Sequence, residues 1–255
     1  MLLAIDIGNT NIVIGTFKAD KIQSHWRISS STSRTSDECW LIMAQLFYQS
    51  NILVSDIKGV IISSVVPNIT PAFIKMAEEK FALDPVLVTS ELDFGLVNKY
   101  SDPKAVGADR LVNAIAGYTR YGGPLILIDF GTATTFDVVS ENKEYLGGII
   151  APGVESSAMV LHRNAARLPK VAMKFPNRLI GNSTETSIQA GIMFGTVEMI
   201  DGMVRRIIAE MGQDTKTVAT GGLASLIIPY CSMVHDADPM LTLEGLNIIY
   251  SMIQK

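Results

Sequence analysis

The run Leu2-Leu3-Ala4-Ile5-Asp6-Ile7-Gly8-Asn9-Thr10-Asn11, continued by Ile12-Val13-Ile14-Gly15-Thr16-Phe17, decides how the rest of the chain is read. An apolar stretch reaches a carboxylate, turns through Gly-Asn-Thr-Asn and becomes a second apolar stretch, which is the pattern of a β-hairpin. The contents of the turn are unusual. Glycine lets the backbone come close to a ligand. Asn and Thr offer donors to phosphate oxygens, and a carboxylate near a polyphosphate acts through a metal ion or its waters. Polar Asx-Gly turns also occur where nothing binds, so the stretch takes its meaning from what repeats it.

It is repeated at Leu125-Ile126-Leu127-Ile128-Asp129-Phe130-Gly131-Thr132-Ala133-Thr134-Thr135. Both share the form strand, Asp-x-Gly with Thr close behind, strand. Two such turns facing across a cleft would grip a polyphosphate from both sides. A third piece is Val218-Ala219-Thr220-Gly221-Gly222-Leu223-Ala224, where a strand ends in Gly-Gly and a helix begins. Glycines there let a flat base lie against the backbone, and a helix start offers free N–H groups; a helix entry that needs glycine for packing reads the same way. A fourth is Gly107-Ala108-Asp109-Arg110 at the head of a helix. Its carboxylate beside a guanidinium is equally an N-cap or a surface ion pair when taken alone.

Between these pieces the chain alternates strand and helix patterns. Strands are expected at 2–7, 12–17, 22–28, 57–65, 85–89, 125–130, 134–139, 145–150, 216–220 and 232–235. Helices are expected at 36–50, 70–81, 108–121, 184–211, 223–230 and 241–253, the fourth with a break at Gly191, Gly195 or Gly202. Three strands followed by alternating helices and strands occur twice, with the junction near Tyr121-Gly122-Gly123-Pro124. This predicts two halves, 1–122 and 123–255, each a mixed sheet flanked by helices.

Composition sets the bounds. The 255 residues are 48% apolar, enough for one large or two modest domains. A net charge of -4 speaks against a broad nucleic-acid footprint. Two isolated cysteines, Cys39 and Cys231, exclude a disulfide framework and a Cys-based zinc site, and fit a reducing cytoplasm. The first apolar run lacks a basic lead and is interrupted by Asp6, so it is not read as a signal peptide, and no membrane span is expected. There is no Gly-x4-Gly-Lys-Ser/Thr loop, which argues against a P-loop kinase. His25, His162 and His235 stand apart with no metal-ligand spacing, and the Met-rich stretch 193–211 reads as core or dimer face.

The paired Asp-Gly-Thr turns resemble the phosphate motifs of the acetate and sugar kinase, Hsp70 and actin superfamily, and Thr220-Gly221-Gly222 falls where that superfamily places adenosine. The resemblance implies an α/β, duplicated actin-like (ribonuclease H-like) fold, its two mixed-sheet halves flanked by helices with an ATP cleft between. In order, Asp6-x-Gly-Asn-Thr with Gly15, Gly107-Ala-Asp-Arg110, Asp129–Thr135, Gly147-Gly-Ile-Ile-Ala-Pro-Gly153 and Thr220-Gly-Gly222 are similar to type III pantothenate kinases over essentially the whole chain.

That family resemblance implies transfer of the ATP γ-phosphoryl group to the primary hydroxyl of pantothenate, with Mg²⁺ and a monovalent cation (K⁺ or NH₄⁺), in a cytoplasmic homodimer. It casts Asp109 as proton acceptor and Arg110 as holder of the pantothenate carboxylate. Tyr100, Gly107, Ala108 and Thr184 then line the substrate pocket. Asp6 acts on Mg²⁺ through water; Ile7, Gly8, Asn9, Thr10, Asn11, Ile12, Val13 and Thr132 hold ATP; Asp129 takes the monovalent cation. Two alternatives stay open: another kinase of the superfamily, and a nucleotide-binding regulatory protein of the same fold without catalysis.

Overall fold

Burial on both faces explains why the opening strand is almost wholly apolar. In the computed structural model, which describes every residue except Gln213, His235 and Lys255, β1 (Leu2–Ile7) lies mid-sheet. It pairs antiparallel with β2 (Asn11–Lys18), which pairs antiparallel with β3 (Lys21–Ser29). On its other side β1 runs parallel to β4 (Gly59–Ser64), and β4 to β5 (Val86–Leu87). The order is β3-β2-β1-β4-β5.

Between β3 and β4 lies α1 (Ser36–Gln49), opened by a capping box: Thr35 N donates to Glu38 Oε2 at 2.8 Å and Glu38 N to Thr35 Oγ1 at 3.3 Å. A cap of this kind contributes about 0.5–2 kcal/mol. Pro71 sits in the first turn of α2 (Thr70–Phe81), where its missing N–H costs nothing. The two helices bury Cys39, Met43, Phe47, Phe73 and Met76 against Leu3, Ile5, Ile7, Ile12, Ile14 and Ile62. Side chains alternate along a strand, so Ala4 and Asp6 take the opposite face.

A short strand, β6 (Val97–Asn98), and α3 (Ala108–Tyr121) follow, and then the plan is repeated. β7 (Leu125–Phe130), β8 (Ala133–Val139) and β9 (Glu144–Pro152) form an antiparallel meander. After α4 (Val154–Asn164) and α5 (Thr184–Met211), β10 (Lys216–Gly221) pairs parallel with β7; after α6 (Ala224–Ile227), β11 (Asp236–Ala237) pairs parallel with β10. The order is β11-β10-β7-β8-β9-β6, the first sheet's arrangement with β6 added at the edge. Ile126, Ile128, Phe130 and Phe136 pack with Ile188, Met193, Ile200 and Val204 of α5. The last helix is α7 (Leu241–Ile253).

Two compact units result, and neither is one uninterrupted stretch. The first holds 1–96, 100–116 and 240–255; the second holds 97–99 and 117–239. α3 therefore begins in one unit and ends in the other. Within the first unit, α7 covers the second face of the sheet, with Leu243 against Gly15 and Tyr250 against Gly59. Within the second, Gly117 of α3 packs on Leu125 and Leu127.

Three local expectations need revision. α5 runs unbroken through Gly191, Gly195 and Gly202, because the apolar residues between them anchor it in the core. α4 and β6 were not foreseen: α4 has eleven residues of which only Val154 is buried, and β6 has two residues. The strand expected at 232–235 is displaced to Asp236–Ala237. The Asp201 carboxylate takes the N–H of Ser232 at 2.8 Å and of Met233 at 3.0 Å, so these amides cannot join a ladder; His235 lies outside the described residues.

Candidate active site

In the first unit, Asp6 stands next to last on β1, flanked by Val13 of β2 and Ser63 of β4. The following turn is closed by Gly8 N donating to Asn11 O at 3.0 Å, and Ser30 N donates to Thr10 O at 2.9 Å. Asn9 and Thr10 are exposed at its tip. The side chains of Ile7 and Ile12 are fully buried in the core, so any ligand contact from these two is through backbone.

The head of α3 lies at the same end of this unit. Val65 N donates to the carbonyl of Ile7 at 3.0 Å, and a side chain added at Gly107 would touch Val65 Cγ1 at 3.5 Å. Gly107 opens the helix, its carbonyl accepting from Leu111 N at 3.3 Å. Asp109 Oδ1 accepts from Arg110 N at 2.8 Å. Burial pushes the Asp109 carboxyl above its ordinary value; the Arg110 amide and guanidinium pull it back without cancelling the rise. Arg110 is buried beside it, and Tyr100 and Ala108 are partly buried.

In the second unit Asp129 holds the equivalent place on β7, between Thr135 of β8 and Thr220 of β10. Its turn is one residue shorter. Ile7 pairs with Ile12, whereas Phe130 pairs with Thr134, and Gly131 N donates to Ala133 O at 3.0 Å. Thr132, at the tip, accepts at its carbonyl from Ser156 Oγ of α4 at 2.8 Å. Gly221 has φ +91, and a side chain there would run into the Asp129 carboxylate and the Phe130 backbone. Gly222 N donates to Phe130 O at 3.1 Å. Gly221 is thus required by its carboxylate neighbour as well as by its backbone.

Thr184 is elsewhere in this unit, at the first turn of α5 behind the Ser183 cap. It lines a concavity of about 750 Å³ with Leu161, Ser187, Ile188 and Gly191, whose walls include neither Asp129 nor Thr132. Sequence reading missed a buried polar group nearer to Asp129. Asp137 on β8 is fully buried and accepts from Thr135 Oγ1 at 3.2 Å and from Tyr145 OH at 2.7 Å. A carboxylate between Phe136 and Val138 was the available signal.

Other chemistry has no support among the described residues. Burial raises the Cys39 thiol to about 11 and the Cys231 thiol to about 12, so neither is a thiolate nucleophile near neutrality. No group of three or more His, Cys, Asp or Glu could hold a metal. No helix is long and apolar enough to cross a membrane.

A repeated sheet of three antiparallel strands and two parallel ones, with a carboxylate and a glycine turn at the end of each first strand, defines the class: an actin-like fold of the kind used by sugar kinases. Two solved structures share it. They are the activator of the 2-hydroxyisocaproyl-CoA dehydratase from Clostridium difficile with bound ADPNP (TM-score 0.55, 13% identity, 99% of this chain and 94% of that one) and the ROK hexokinase from Thermus thermophilus (TM-score 0.52, 13% identity, 99% of each). The family is fixed by sequence. The family model for type III pantothenate kinase matches residues 2–206, and the type III pantothenate kinase of Moorella thermoacetica is 46% identical over 250 residues, 98% of each chain. The chain belongs to the type III pantothenate kinase family.

Proposed function

We infer that this protein phosphorylates pantothenate, moving the γ-phosphoryl group of ATP to its primary hydroxyl and giving 4'-phosphopantothenate, the first step of coenzyme A biosynthesis. The observation that carries the mechanism is the half-buried Asp109 carboxylate, held above its ordinary pKa beside Arg110 at the turn end of its unit.

Phosphoryl transfer is mainly positioning and charge stabilisation. Asp109 orients the pantothenate hydroxyl; as its oxygen bonds to the γ-phosphorus and the bond to the β-bridging oxygen breaks, the proton passes to Asp109 and ADP leaves. A raised pKa makes that carboxylate a better late acceptor than an exposed one. Arg110 pairs with the substrate carboxylate through its planar fork. Tyr100, Gly107, Ala108 and Thr184 shape the remainder of the substrate site. The turn Ile7–Val13 and Thr132 hold ATP.

Asp6 suits Mg²⁺ held through water: it is a hard oxygen donor, and Mg²⁺ commonly keeps several waters with one or two carboxylates and the phosphates. Bound there, the ion would neutralise charge on the phosphate oxygens. Asp129, against the bare backbone of Gly221, is the oxygen donor for a potassium or ammonium ion. The protein works as a cytoplasmic homodimer. Support comes from α5, where side chains added at Gly191, Gly195 and Gly202 would meet open space, as on a face free to take a neighbouring helix, and from two free cysteines.

An ADP-release assay with pantothenate, acetate and a set of sugars tests the reading, on a preparation expected to sediment at twice the chain mass. Turnover with pantothenate is expected. Turnover only with a sugar or acetate would assign another kinase reaction, and ATP binding with no turnover on any acceptor would favour a regulatory protein.

A further inference from the structure

The two halves of the fold allow a direct comparison, because Asp6 and Asp129 occupy the same position in equivalent sheets. Across from Asp6 stands Val13, and the next residue on that face of β2 is Gly15. Across from Asp129 stands Thr135, and the next on that face of β8 is Asp137. On the parallel side both carboxylates have a hydroxyl neighbour, Ser63 and Thr220; on the hairpin side the first has an apolar neighbour and the second a chain of oxygens.

That chain has a fixed direction. Asp137 is fully buried, and a buried carboxylate is costly unless donors satisfy it. Tyr145, also fully buried, donates its hydroxyl to Asp137 Oδ1 at 2.7 Å, and Thr135 Oγ1 donates to Oδ2 at 3.2 Å. A threonine hydroxyl has one proton and two lone pairs. Since a carboxylate can only accept, the Thr135 proton is committed to Asp137 and its lone pairs turn elsewhere. Cross-strand partners hold their Cβ atoms about 4.5–5.5 Å apart, so the Thr135 and Asp129 side chains are neighbours on one face of the sheet. The row ends at Ile150 of β9, which is 63% exposed, and Thr135 itself is only partly buried.

We propose that Thr135 Oγ1 is a direct ligand of the monovalent cation beside Asp129, and that Asp137 and Tyr145 are positioning residues which hold its proton away from the ion. This rests on the reading of Asp129 as the cation's carboxylate. Potassium gives up hydration water readily to neutral oxygens, whereas Mg²⁺ keeps its water. The difference between the two half-sites matches that contrast: Val13 at the water-mediated place, Thr135 at the direct one.

The test measures potassium binding without turnover. Melting temperature is followed against potassium chloride at constant ionic strength, with tetramethylammonium as the replacement ion, and ²⁰⁵Tl⁺ NMR gives a second reading of occupancy. Thr135→Val should raise the half-saturating potassium concentration about tenfold, within the range found when groups around a metal are removed, and Thr135→Ser should restore it. Tyr145→Phe, which leaves the ligand oxygen in place but loosens Asp137, should move the same constant in the same direction. An unchanged constant in Thr135→Val, or in Tyr145→Phe should Thr135→Val not fold, overturns the proposal. Asp129→Asn separates the two levels. Loss of the potassium response in Asp129→Asn with a normal response in Thr135→Val refutes Thr135 alone; a wild-type protein indifferent to potassium in both readings refutes the cation site as a whole.

Discussion

Asp109 is held at a cost to the fold. Burial raises its carboxyl above the ordinary value of about 3.9 for aspartate, more than the neighbouring Arg110 lowers it. A group whose folded pKa is raised stabilises the protein while protonated. That contribution is complete below the unfolded value and is lost as pH rises through the folded one. At neutral pH the folded chain therefore holds an ionised carboxylate that the unfolded chain would hold more cheaply. Asp109→Asn should melt higher than the wild type at pH 7, by about 2–4 °C for each kcal/mol relieved, and the gap should close toward pH 4. The same variant should lose nearly all turnover while still binding ATP. In the wild type, activity should fall with decreasing pH above the range of an exposed aspartate. A variant less stable than wild type at pH 7, or one with near-normal turnover, contradicts the assignment. The sequence exposed the residue through its Gly-Ala-Asp-Arg setting but not this cost, which depends on the environment that folding builds around it.

At the scale of elements, the paired turns were legible down to their one-residue difference, since the strands expected at 2–7 and 12–17 leave one residue more between them than those at 125–130 and 134–139; the hydrogen-bonded register behind it was not. Both end a buried strand with Asp-x-Gly, and the strands expected at 2–7 and 125–130 have those bounds. The one-residue difference in loop length comes from where pairing resumes, at Ile12 in one and Thr134 in the other, and register is a property of two strands together. The strand expected at 232–235 failed for a related reason: Asp201, about thirty residues earlier, claims its amides. Helix contacts are similarly hidden. Gly245 of α7 has Val112 O at 2.6 Å and Val112 Cγ1 at 2.7 Å from where a side chain would begin. Gly245→Ala should lower stability by about 1–3 kcal/mol through overpacking against α3, read by urea unfolding. A neutral result would mean that the two helices can separate at little cost.

On the scale of the whole molecule, two divisions of the chain coexist. The stretches 1–122 and 123–255 are proposed as the copies of a repeat, on the strength of two sheets with the same strand order. The compact units follow a different division, because 240–255 is built into the first of them. Periodicity revealed α7 as a helix in the sequence, but a pattern of apolar residues does not say which sheet they will cover. The helix carries Leu241, Leu243, Leu246 and Ile249, all nearly or fully buried. Removing residues 240–255 should therefore strip protection from amide exchange in β1–β4, far upstream, and spare β7–β10; retained protection in β1–β4 would show that the first unit does not need its last helix. During synthesis this placement reverses the usual order of maturation. The ribosome makes β1–β4 before the second unit, yet they wait for residues 240–255 before their sheet is closed, while the second unit has all its residues once Pro239 has emerged.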